Sequence, residues 1–169
     1  MLYIPASAAR QNSFAAKPED ISDQTCLKKH HVNFVKAHTY PSIFTEEVAR
    51  LNLHSKQSDA WIDQSSAIYM SHPHHQLGGW PDAVQSPEMD KECQLASNGV
   101  YVGNEEGYKC EKAQKLMAGA AEWSLLLQFD SDEELDIMWG DCGMVYFWVK
   151  REQAKLGDFS GAWLVFQCC

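Results

Sequence analysis

The chain has 169 residues, 45% of them hydrophobic, and a net charge of −9. That length supports one core and is short for two, and with Lys28–Lys29 and Lys150–Arg151 as its densest basic pairs it offers no electrostatic footprint for nucleic acid. No apolar run approaches the roughly 20 residues of a membrane span, the longest being Met144 to Val149.

Residues 1–23 mix Ala, Ser, Pro, Gln and Lys without periodicity, which predicts a flexible lead-in before a domain over 24–169. They lack the basic start and sustained apolar core of a secretory signal, so a cytoplasmic location is expected. After Pro41, Ser42 can cap a helix whose apolar residues Ile43, Phe44, Val48, Leu51 and Leu53 lie near helical spacing, predicting Ser42–His54. A polar loop should then lead to His72–Pro81, where Pro73, Gly78, Gly79 and Pro81 exclude regular structure. Ala83–Gln85 reads as a short strand and Ser86–Cys110 as an irregular connection. Glu111–Ala121 has a helix-forming composition, weakened by Gly119.

From Trp123 the period changes to two, with Trp123, Leu125, Leu127 and Phe129 alternating with their neighbours, so a strand is predicted, ended by the acidic run from Asp130. Met144–Lys150 is apolar on both faces and should be a central strand. A short helix over Glu152–Leu156 and a last strand over Ala162–Cys168 complete an α+β fold, a mainly antiparallel sheet with two or three packing helices. The helices at Ser42–His54 and Glu111–Ala121 are expected to cover the sheet.

Six cysteines without a Cys-x-x-Cys pair or an export signal read as reduced thiols. His72, His74 and His75 form the most metal-like pattern, because alternate residues of an extended segment present imidazoles on one side. A third ligand is needed, for which Asp82 and Asp141 qualify by type. Gly78-Gly79-Trp80-Pro81 can admit a ligand close to its backbone, although a sharp structural turn locked by Trp80 and Pro81 is the favoured reading. Trp139-Gly140-Asp141-Cys142-Gly143 reads as a strand-entry turn capped by Asp141, and Asp130–Asp136 as a solvated turn. Gln85, Gln128 and Gln167 follow apolar residues, where an amide must pair both its ends or line a polar pocket.

Four blocks resemble the YwqG family: HQLGGWPDAVQ from His75 to Gln85, WSLLLQFDSD from Trp123 to Asp132, MWGDCGMVYFWV from Met138 to Val149, and the closing FSGAWLVFQCC. The resemblance covers roughly the last 100 residues, a domain-sized block, and corresponds to the C-terminal half of longer members. An earlier related half, with its own Gly-Gly-x-Pro segment, is not found in Met1–Tyr69. If the halves normally pack together, an exposed sheet edge or face and a homodimer follow as expectations. The resemblance, extended to immunity-type proteins, implies a non-enzymatic domain binding a basic protein partner, with His75, Gly78, Gly79, Trp80, Gln85, Gln128, Trp139 and Asp141 as its binding residues. No cofactor is expected under that reading. The alternative is a metal-assisted hydrolase that uses a divalent metal on His72–His75 with Asp141 as ligand or base.

Overall fold

A computed structural model describes residue 19 and residues 30–69 and 73–169. Four strands form one antiparallel meander in the order β1 (Gln76–Leu77), β2 (Trp123–Asp130), β3 (Met144–Lys150) and β4 (Trp163–Gln167). The three long strands fall where period-two alternation places them, and β3, apolar on both faces, is interior, flanked by β2 and β4. β1 corrects the expectation that no regular structure enters the His72–Pro81 segment. Its two residues pair with Gln128 and Leu127 before Gly78 and Gly79, both at positive φ, turn the chain away.

One irregularity sets which side chains face inward. The β2–β3 register shifts between Leu125 and Leu127, so Leu126 is a bulged residue. Trp123, Leu125, Gln128 and Asp130 consequently share the buried face, although a strict alternation would have sent Gln128 to the other side. Tyr146, Met144, Trp148 and Val165 complete that face from β3 and β4.

The helix covering it is α3 (Met89–Ala96), which drives Met89 and Cys93 into the sheet, both fully buried. This corrects the expected irregular connection over Ser86–Cys110, which also holds α4 (Glu105–Lys109). With only two turns, α3 shows too little periodicity to stand out, and its Met89–Cys93 pair at i, i+4 gains its meaning from the sheet beneath. The helix expected over Glu111–Ala121 is α5 (Glu111–Leu116), tightening into a 3₁₀ turn at Met117–Glu122. There the absent side chain of Gly119 leaves room for Gln94. Gln94 spans the junction, accepting from Trp123 Nε1 at 2.9 Å and donating to Leu116 O at 3.1 Å. Leu95, Val100 and Ala113 form a second, smaller core behind it.

The predicted helix over Ser42–His54 is present only as one turn, α1 (Glu46–Ala49), followed by a break at Asn52, whose φ is +50°. The longest helix is α2 (Ser55–Tyr69), in the stretch read as a polar loop. Its sequence, SKQSDAWIDQSSAIY, is polar nearly all round and gives little amphipathic signal. Trp61 anchors it, with Nε1 donating to Pro41 O at 3.0 Å and its ring edge-on to Tyr40. α6 (Arg151–Lys155) lies within one residue of its predicted position and links β3 to β4. Among the described residues, no helix is long and apolar enough to cross a membrane.

Candidate functional site

Beyond β1, the segment from Asp82 to Ser86 crosses the buried face of the sheet as a loop, and side chains rather than a backbone ladder hold it there. Ala83–Gln85, predicted as a strand, makes no strand pairing. Gln128 accepts from Asp82 N–H at 2.8 Å through Oε1 and donates to His74 O at 2.9 Å through Nε2. The Tyr146 hydroxyl donates to Asp82 O at 2.6 Å and accepts from Val84 N–H at 3.3 Å. Gln167 accepts from Gln85 N–H at 2.9 Å and donates to Ser86 O at 2.8 Å, while Gln85 Nε2 donates to Cys168 O at 2.6 Å. Three side chains, one on each long strand, thus satisfy a backbone that has no neighbouring strand of its own. Burial and the nearby Asp82 and Asp130 charges push the Tyr146 phenol up, so it stays a neutral hydroxyl, as its two opposed bonds require.

The same staples place the histidines. His75 packs at a tilt against Phe129, ring centroids 4.7 Å apart, its Nδ1 accepts from Asp130 N–H at 3.1 Å, and its Nε2 lies 3.1 Å from Asp132 Oδ2. An acceptor Nδ1 puts the ring proton on Nε2, where it is donated to the carboxylate. That bond, ahead of the backbone donors of Glu134 and Leu135, lowers the Asp132 carboxyl below its ordinary value. His74 points elsewhere, its Nδ1 lying 3.4 Å from Gln128 Nε2 and 3.6 Å from Asp82 Oδ2, while its backbone N–H donates to Asp130 Oδ2 at 2.8 Å. Neither nitrogen of His75 is open to a metal. Among the described residues no group of three or more His, Cys, Asp or Glu side chains is arranged to hold one, and His72 lies outside those residues.

At this end of the sheet opens a cleft of about 880 Å³. Five carboxylates line it, from Asp82, Asp130, Asp132, Glu133 and Glu134, and among the described residues no Lys or Arg does. Asp130 and Asp132 are buried, which corrects the reading of this run as a solvated turn at those two residues, while Glu133, Glu134 and Asp136 are exposed. Asp132 bridges to Ile137 through its backbone and caps the turn through Oδ1. The strand-entry turn closes on Ser131 rather than on Asp141: Ser131 Oγ accepts from Trp139 N–H at 2.9 Å and donates to Gly143 O at 2.8 Å. Asp141 is exposed.

The other predicted binding residues separate. Trp139 packs edge-on to Phe129 on the opposite face. Gly79 and Trp80 meet the chain near Thr39, whose Oγ1 accepts from Trp80 N–H at 2.8 Å. Gln85 belongs to the staples at the β4 end. Sequence reasoning missed Asp130, Asp132 and Tyr146. A usable signal was present, since Asp130 follows Gln128 by two on the same strand and must share its buried face.

A family model described as Domain of unknown function (DUF1963) matches residues 2–168. No curated protein matches the chain.

Proposed function

Because the chain belongs to the DUF1963 family, whose description assigns no activity, we propose from geometry alone that it is a non-enzymatic binding domain that takes a basic segment of a partner protein into the acidic cleft. One observation carries this reading: five carboxylates face one cleft with no Lys or Arg among its described lining, two of them held rigid by burial. Carboxylates gathered this way make the local potential strongly negative and attract a cationic partner. His75 and Gln128 serve as positioning residues, fixing Asp132 and the Asp82 loop. Within the family we read the chain as YwqG-like, matching its C-terminal half, and of immunity type, for which a basic toxin is the fitting partner. Metal-assisted hydrolysis gains no support from His75, whose nitrogens are both engaged.

The test is fluorescence anisotropy with a labelled Lys/Arg-rich peptide and an acidic peptide of equal length. The basic peptide should bind, weaken steeply between low and high salt, and lose about tenfold in affinity with Glu133→Lys/Glu134→Lys, roughly 1.4 kcal/mol. Equal binding of both peptides, or indifference to the charge reversal, overturns the proposal.

A further inference from the structure

Residues 30–38 form no helix or strand, all of them are exposed, and none takes part in a hydrogen bond among the described residues. The base of this arm is fixed, since Thr39 Oγ1 accepts from Trp80 N–H and Tyr40 packs edge-on to Trp61. Beyond that base the arm carries Val32 at 69%, Phe34 at 77% and Val35 at 87% exposure. Three apolar side chains stand in water within four residues, and β-branched and aromatic types are those that fit a strand of a sheet.

The sheet has a matching vacancy. β4 is an edge, paired with β3 alone among the described residues, and its sequence Trp163-Leu164-Val165-Phe166-Gln167 has no charge, no Pro and no register shift. Those are the devices that ordinarily keep an edge strand from pairing with another chain. Leu164 beside the edge is 49% exposed, and Phe166 is exposed to a similar degree. The arm leaves its own fold beside Trp80, three residues beyond β1, and β1 is the opposite edge of the sheet from β4.

We infer that the arm pairs with the free edge of β4 in a second copy of this chain, adding a fifth strand, and that the exchange is reciprocal. Alternation puts Val32 and Phe34 on one side of the added strand and Val35 on the other, so that Val32 and Phe34 extend the apolar outer face of Leu164 and Phe166. Two identical contacts close a two-fold dimer and leave no open end. The chain carries −9 overall, but residues 30–38 hold Lys36 and no acid, so the arm approaches a second copy without like-charge repulsion. Both contacts together cover on the order of 1,200 Å², the low end for a specific interface, which makes the dimer a weak one. This contact is independent of the acidic cleft and of its proposed partner.

The test is sedimentation equilibrium of the whole chain under reducing conditions, with exposed thiols kept from cross-linking. One copy should be found near about 1 µM and two near about 500 µM, with a dissociation constant on the order of 10–100 µM, so that unfolding measured at the low end reports the single copy. Phe34→Asp/Val35→Asp, whose side chains already stand in water, should leave the urea midpoint unchanged and weaken association at least about tenfold. Leu164→Lys should weaken it by a similar factor from the other side of the contact. A synthetic peptide of residues 30–40 should shift the Leu164 and Phe166 backbone amide resonances of the Phe34→Asp/Val35→Asp chain in a ¹H–¹⁵N spectrum. A single copy at every concentration, a dimer indifferent to either variant, or β4 amides that the peptide does not move overturns the inference.

Discussion

The two faces of the sheet are built from the same strands but finished differently. On the inner face each long strand contributes a side chain that bonds the backbone of the Asp82–Ser86 loop, Gln128, Tyr146 or Gln167, with Gln128 also donating to His74 O. On the outer face Leu77, Leu164 and Phe166 remain exposed, Phe166 at 47%, and β4 pairs only with β3 among the described residues. The inner face is specified by pairing, since a buried amide tolerates one arrangement of its partners. The outer face is closed only in part: Val145 and Val149 are buried there, whereas removing one of the exposed side chains takes away little buried area.

That contrast is broken most sharply by Gln128→Leu, which keeps the volume but strands Asp82 N–H and His74 O in the interior. We expect a loss of about 2–4 kcal/mol, two unsatisfied backbone groups at about 1–3 kcal/mol each with partial relaxation, read from the urea midpoint. A stable variant that retains the loop would mean that the amide serves binding instead of folding.

A smaller effect is expected from Asp132→Asn, which preserves the Oδ1 cap on Glu134 and Leu135 but removes the charge facing His75. The folded Asp132 carboxyl lies below its ordinary value, so its stabilisation is full above the unfolded value, near 3.9. It is lost as pH falls from there through the folded value. Wild type should therefore lose stability more steeply than the variant below about pH 4, as thermal unfolding at a series of pH values would show. Parallel curves would mean that the His75 bond contributes nothing.

The smallest effect belongs to the outer face. Phe166→Ser should change stability by no more than about 1 kcal/mol because the ring is already half in water. A cost of several kcal/mol in chemical denaturation would show that this face is covered in solution.

The fold was legible where burial imposes a short period. β2, β3 and β4 appear as alternating or doubly apolar runs, and the antiparallel α+β class follows from them. α2 was hidden because its polar sequence lacks a stripe, and α3 because two turns are too few to reveal one. The histidine pattern at 72, 74 and 75 promised a shared ligand site, yet His74 and His75, the two among the described residues, diverge to Asp82 and Asp132.

The amino-acid sequence by itself determined the strands, the central place of β3 and the presence of amides that had to be paired, because these depend on residues close along the chain. Only the tertiary structure decided which groups pair with them. Gln128 meets Asp82 across 46 residues and Gln167 meets Gln85 across 82. Local periodicity carries no information about partners that distant, and the one-residue bulge at Leu126 turned Gln128 and Asp130 inward and so created both the staples and the acidic cleft.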